Sequence, residues 1–241
     1  MARRTTALGT DSSSVQDYVK VIYAFTEWQD RPITASQVAA RLSVANSSAS
    51  EMIRKLVDLG LVHHEPYGSV ELTPEGLQLA LAMVRRHRLL ETFLVRELGY
   101  SWDEVHDEAE LLEHTVSDTF IDRLDAKLGQ PLLDPHGDPI PSAAGTINVP
   151  NAHSMRELDS GHTGRIARIS DDNPDLLRFL TGEDIGLGEQ VEVLGRKPFG
   201  GPLTVRLGEG PGLRELDFGD ELTGALWIES VGSHPGCSLV Q

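Results

Sequence analysis

Residues 34–72 read TASQVAARLSVANSSASEMIRKLVDLGLVHHEPYGSVEL, and this stretch decides the fold. Thr34 followed three residues later by Gln37 fits a capping box, in which each side chain satisfies a free amide at a helix start. Val38, Ala39 and Leu42 supply that short helix with an apolar stripe. Residues 43–46 make a tight turn, and Ser47 or Ser48 is placed to cap the next helix. There Ala49, Met52, Ile53, Leu56 and Val57 recur at helical spacing and predict a core-facing stripe. Gly60 stands where a left-handed residue closes a helix. Residues 61–64 and 69–72 are short extended runs on either side of Glu65-Pro66-Tyr67-Gly68, which predicts a hairpin. Two short helices, a tight turn and a wing describe a winged helix-turn-helix.

The outward face of the second helix carries Ser47, Ser48, Ser50, Glu51, Arg54 and Lys55. Short hydroxyls let a helix approach base edges, and the two cations reach phosphates. Glu51 repels phosphate but can accept from cytosine N4. Ser36 and Tyr67 complete the candidate DNA-contacting set. A protein-contact module of the same shape remains open at this stage.

Working outward, residues 14–28 place Val15, Val19, Ile22 and Phe25 on one face of an upstream helix. Downstream, Pro74 opens a long helix to Leu98 that is apolar over much of its circumference, as at a domain or subunit contact. His87 and Glu91 stand four apart on it. Residues 102–128 predict one or two further helices containing His106, Glu110, Glu113 and His114. The last three converge on one helical stripe, an arrangement that is costly unless a cation sits among them. Carboxylate oxygens with an imidazole suit a divalent ion such as Mn²⁺ or Fe²⁺; an acidic, solvent-facing helix is the plainer alternative.

Composition sets limits on these readings. The 241 residues carry 21 Lys+Arg against 37 Asp+Glu, a net charge of −16 that taken alone argues against DNA. The charge is segregated, however. Residues 1–90 hold 10 basic and 9 acidic side chains, residues 91–140 hold 3 and 13, and residues 141–241 hold 8 and 15. The reading head is therefore near neutral. The single cysteine, Cys237, excludes a disulfide framework or a cysteine-cage metal site. The opening MARRTTALGT has no apolar run behind its arginines, and no window approaches a membrane span, so a cytoplasmic protein without a membrane partner is expected.

A winged helix, then His87-Arg88-Leu89-Leu90-Glu91, then Val105 to His114 (VHDEAELLEH), then Pro135-His136-Gly137-Asp138-Pro139-Ile140-Pro141, resembles the diphtheria toxin repressor family of metal-dependent transcriptional repressors. The resemblance implies a primary metal site of Asp17, Glu110, Glu113 and His114. It implies an ancillary site of His87, Glu91 and His106 with two residues from the C-terminal region. Asp172 and Asp175 match those two by order and spacing, with Asp171 able to replace either. In the iron-responsive branch the positions of Asp17 and Glu110 carry methionine and cysteine; carboxylates at both favour Mn²⁺, with Fe²⁺ the alternative cofactor. In compact manganese regulators a glutamate stands where this chain has Lys20, and a cation there argues against two adjacent ions while being able to pair with a ligand carboxylate.

The C-terminal region reads differently. Residues 137–160 are rich in Pro, Gly, Ala, Ser and Asn with little periodicity and predict a linker; residues 164–169, 190–194, 203–207 and 222–228 alternate as short strands. The family implies a small SH3-like (FeoA-like) β-barrel here. His136, His153, His162 and His234 are read as loop residues. The expected architecture is multidomain α+β: a winged-helix domain at 1–74, a helical metal-binding and dimerisation domain at 75–141, a linker at 142–160 and the barrel at 161–241. The expected function is a homodimeric, manganese-activated repressor of double-stranded operator DNA, with no small-molecule substrate. No H-E-x-x-H or activated nucleophile supports a metallohydrolase.

Overall fold

The computed structural model describes residues 12–28, 32–65 and 68–230. Tyr67, His234 and Cys237 lie outside the described residues. The chain divides into two compact units, residues 1–87 with 112–122 and 141–146, and residues 88–111 with 123–140 and 147–241.

The first unit is built on the winged helix. Helix α1 (Ser13–Glu27) buries Val15, Tyr18, Val19, Ile22 and Tyr23. Strand β1 (Ile33–Thr34) leads into α2 (Ala35–Arg41), whose start carries the expected capping box: Gln37 N donates to Thr34 Oγ1 and Thr34 N to Gln37 Oε1. Helix α3 (Asn46–Asp58) buries Ala49, Ile53 and Leu56. Its core stripe is narrower than the periodicity predicts, since Val57 remains 41% exposed. Nor do Ser47 and Ser48 cap it: the helix begins at Asn46 behind Ala45 without a side-chain cap, so both serines lie inside its first turn. Gly60 takes φ +72°, as its closing position requires. Strands β2 (Val62–His64) and β3 (Ser69–Leu72) form the wing, and β1 joins them in a sheet of order β1-β3-β2.

Helix α4 (Pro74–Leu98) contributes its first half to this unit and its second half to the other. Gly76 is required in its first turn, because a Cβ there would meet the Leu61 carbonyl at 1.9 Å. Helices α5 (Val105–Glu113) and α6 (Asp118–Lys127) follow, so residues 102–128 hold two helices, and His114 lies just past the end of α5.

The second unit contains a six-stranded antiparallel sheet of order β4-β9-β5-β6-β7-β8. Its strands are β4 (Ala152–Ser154), β5 (Thr163–Ile169), β6 (Gln190–Arg196), β7 (Leu203–Leu207), β8 (Arg214–Phe218) and β9 (Leu226–Ser230). Helix α7 (Pro174–Gly182) follows β5, and α8 (Asp220–Gly224) precedes β9. Two expectations are corrected. The sheet begins inside the predicted linker, where Met155 and Leu158 join the core and so anchor a segment that lacks periodicity. Residues 222–228 are the end of α8 and the start of β9, and β8 is a further strand, in which Glu215 and Asp217 alternate with Leu216 and Phe218.

Candidate metal centre

In the first unit, α1 meets the end of α5 at one imidazole. Gln16 and Asp17 are consecutive on α1, and they hold the two ring nitrogens of His114. Nδ1 lies 2.8 Å from Gln16 Oε1, and Nε2 lies 2.8 Å from Asp17 Oδ1 and 3.6 Å from Glu113 Oε1. Amide and carboxylate oxygens only accept, so a neutral ring that donates Nδ1–H to Gln16 turns the lone pair of Nε2 toward two carboxylates. Acceptors facing each other at this distance need a proton or a metal cation between them. The donor set therefore fits a divalent ion, with the second ring nitrogen oriented as ligating histidines are. Asp17, Glu113 and His114 each offer one donor atom within 4.8 Å of the others.

Glu113 is fully buried, and both its oxygens are engaged. Lys20 Nζ, one turn along α1 from Asp17, donates to Oε1 at 2.7 Å, and His87 Nδ1 donates to Oε2 at 2.7 Å. Burial pushes this carboxyl up, but His87 and Lys20 together hold it below the usual range. His87 thus braces a primary-set carboxylate through one of its two ring nitrogens. Arg86 adds hydrogen bonds to the carbonyls of Glu113 and Val116, fixing the C-terminal end of α5.

A second cluster lies in the other unit. His106 Nδ1 is 3.0 Å from Asp171 Oδ2 and 3.5 Å from Glu91 Oε1, and Nε2 is 3.8 Å from Glu110 Oε1. Burial works against charge on this ring, yet hydrogen bonds to Asp171 and Glu91 raise it to about 11. Glu110, three residues before Glu113 on α5, has its Oε1 3.8 Å from His106 Nε2. Asp171, rather than Asp172 or Asp175, meets His106. Asp172 is exposed, with its amide 3.4 Å from Ser170 Oγ, and Asp175 points outward to Arg178 from the first turn of α7, its side chain 88% exposed. The physical reason is the helix start: Asn173 caps α7 by accepting from the amides of Asp175 and Leu176, which turns the chain between Asp171 and Asp175.

Two residues that the sequence reading passed over join this cluster. Asp134 Oδ1 accepts from the amides of His136 and Asp138, shaping a tight loop, and Gly137 at φ +88° lets that loop lie against β5, where a Cβ would meet the Ala167 carbonyl at 2.1 Å. His136 Nε2 donates to the Trp102 carbonyl at 2.7 Å, so in the neutral ring the lone pair is on Nδ1. Nδ1 is buried with no hydrogen-bond partner among the described residues, and Glu91, Asp134 and His136 each offer a donor within 4.8 Å of the others. A buried lone pair among carboxylates again fits a cation. Burial and the charges of Asp138 and Glu91 push Asp134 up to about 8. The available signal was Pro135-His136-Gly137-Asp138 itself, a motif whose histidine was read as a loop residue.

The remaining site residues are on α2 and α3. Ser36, Ser47, Ser48, Ser50, Glu51, Arg54 and Lys55 are all exposed; Ser50 Oγ donates to the Asn46 carbonyl and Arg54 Nε to the Ser50 carbonyl.

Known families match most of the chain. Models of the iron dependent repressor N-terminal DNA binding domain, the iron dependent repressor metal binding and dimerisation domain, and the FeoA domain match residues 12–70, 73–142 and 153–217. The diphtheria toxin repressor of Corynebacterium glutamicum is 33% identical over 188 residues, covering 73% of this chain and 82% of its own. The iron-dependent repressor IdeR of Mycobacterium tuberculosis is 29% identical over 226 residues, covering 89% and 96%. A solved manganese-dependent transcriptional repressor in complex with manganese superimposes with a TM-score of 0.86 at 49% identity, over 90% of this chain and 100% of that one. No helix among the described residues is long and apolar enough to cross a membrane. With the winged helix, the helical segment and the FeoA-type sheet in this order, the chain belongs to the diphtheria toxin repressor family of metal-dependent, DNA-binding transcriptional repressors.

Proposed function

We propose that the protein is a manganese-activated homodimeric repressor that binds double-stranded operator DNA in the cytoplasm and has no catalytic activity. The observation that carries this reading is the grip of α1 on His114, with Asp17, Glu113 and His114 converging beside the winged helix that reads DNA. Asp17, Glu113 and His114 are the proposed primary ligands, with Glu110, three residues earlier on α5, as the fourth. A bound divalent ion supplies a strong electrostatic link between α1 and the end of α5. The chain does the rest: Gln16 orients His114, Arg86 fixes the carbonyls that end α5, and the apolar face of α1 fixes its place in the unit that also holds α3.

Each protomer presents α3 to the major groove, with Ser47, Ser48 and Glu51 toward base edges and Arg54 and Lys55 toward phosphates. Tyr67 and Ser36 are proposed backbone contacts. His87 is proposed to brace the primary set, while Glu91, His106 and Asp171, with Asp134 and His136, are the proposed second metal site. Oxygen-rich donors favour manganese over the softer late metals, and the relative solved with manganese supports that choice. Iron(II) is the second reading, favoured by the iron-dependent relatives.

The test is binding to a duplex selected from random DNA by the Mn²⁺-loaded protein, titrated separately with Mn²⁺, Fe²⁺ and Zn²⁺. Asp17→Asn removes an anionic ligand from a part-exposed position and should abolish Mn²⁺-dependent binding without unfolding the protein. Equal binding by the chelated wild type would refute metal activation, and a lower half-activating concentration for Fe²⁺ would replace manganese with iron.

A further inference from the structure

Lys20 is a buried ammonium at a site proposed to bind a cation. It lies on the inner face of α1, its Nζ 2.7 Å from Glu113 Oε1, and that carboxylate is fully buried. His114 Nε2 stands 3.6 Å from the same oxygen. An ion held by Asp17 Oδ1, Glu113 Oε1 and His114 Nε2 therefore has to share Oε1 with a charge of its own sign.

We propose that Lys20 is a built-in cation that holds the Glu113 carboxylate in place before metal arrives and raises the metal concentration needed to occupy the site. The inference rests on the metal-clamp reading of Asp17, Glu113 and His114. Two physical consequences carry it. A buried carboxylate without a counter-charge is strongly destabilising, so the ammonium stabilises the metal-free protein. The same ammonium repels an incoming divalent ion across a short path shielded from water, so it weakens the metal-bound state. Lys20 thus narrows the difference between the two states from both ends. Its role is to position Glu113 and to set a threshold; it need not touch the metal. His87 holds the other oxygen, so Glu113 keeps its orientation when the charge at position 20 is altered.

The charge is isolated by Lys20→Gln, which keeps a donor for Glu113 Oε1 and removes the ammonium, with Lys20→Arg as the charge-retaining control. Chelator-treated proteins are compared by thermal melting with and without Mn²⁺, and Mn²⁺ binding is measured by calorimetry. The glutamine variant should melt lower than wild type without metal, gain more from saturating Mn²⁺, and bind Mn²⁺ roughly tenfold more tightly, about 1.4 kcal/mol; the arginine variant should follow wild type. Unchanged or weaker Mn²⁺ binding by Lys20→Gln overturns the proposal, and so does an arginine variant that behaves like the glutamine one. Failure of wild type itself to bind Mn²⁺ overturns the underlying reading of the site, a result distinct from either.

Discussion

Gln16 is the most informative position to change, because it touches the proposed ligand His114 on the nitrogen that faces away from the metal. Its Oε1 accepts from Nδ1 at 2.8 Å, fixing both the tautomer and the rotation of the ring. Losing such an outer partner of a ligating histidine costs about 10- to 100-fold in metal affinity, or about 1.4–2.7 kcal/mol. His114 is 21% exposed at its side chain, so water can partly replace the lost acceptor, and the lower end of that range applies. Gln16→Leu should therefore raise the Mn²⁺ dissociation constant about tenfold, read by calorimetry on chelator-stripped protein. Because metal and DNA binding are linked, the Mn²⁺ concentration for half-maximal operator binding should move by a similar factor. At saturating Mn²⁺ the DNA affinity should return to the wild-type value. Gln16→Glu keeps an acceptor and adds negative charge, so it should bind Mn²⁺ at least as well as wild type. A dissociation constant for Gln16→Leu within twofold of wild type would refute the reasoning, as would a DNA defect that excess Mn²⁺ fails to repair.

Three further outcomes follow from the same geometry. Asp171→Asn should weaken metal binding at the second cluster, whereas Asp172→Asn and Asp175→Asn leave it unchanged; metal content after dialysis against limiting Mn²⁺ distinguishes them. His106 in the metal-free protein is held protonated, raised from 6.5 to about 11. Its stabilising contribution is therefore complete below pH 6.5 and is lost as pH rises toward 11, so the melting difference between wild type and His106→Gln, measured under chelation, should shrink across that range. Asp138 accepts from Arg168 Nε at 2.8 Å and lies 3.3 Å from Arg88, all three buried. Asp138→Ala leaves two buried guanidinium groups without it and should cost about 3–5 kcal/mol in chemical denaturation; a loss under 1 kcal/mol would show that water reaches them.

The winged helix was readable residue by residue because its signals are local. Thr34 and Gln37 act within one turn of helix, Gly60 needs only its own backbone angle, and the wing follows from two short runs about a turn. The same locality explains the errors. Helical spacing put Glu113 and His114 side by side but gave no sign of Asp171 beside His106, because that partner comes from elsewhere in the chain. The segment before β5 has no period at all, and its place in the sheet depends on Met155 and Leu158 filling a core that other strands supply.

The sequence by itself determined the order of modules, the supply of carboxylate and imidazole donors, and the segregation of charge that leaves the reading head near neutral. These follow from propensity, periodicity and composition, which act over a few residues. Only the tertiary structure decided that Asp171 rather than Asp172 faces His106, that His136 and Asp134 stand beside Glu91, and that Lys20 and His87 divide the two oxygens of Glu113 between them. Those choices depend on where a side chain points once distant segments have packed, and the pairing of Lys20 with Glu113 spans 93 residues of chain. No spacing rule reaches that far.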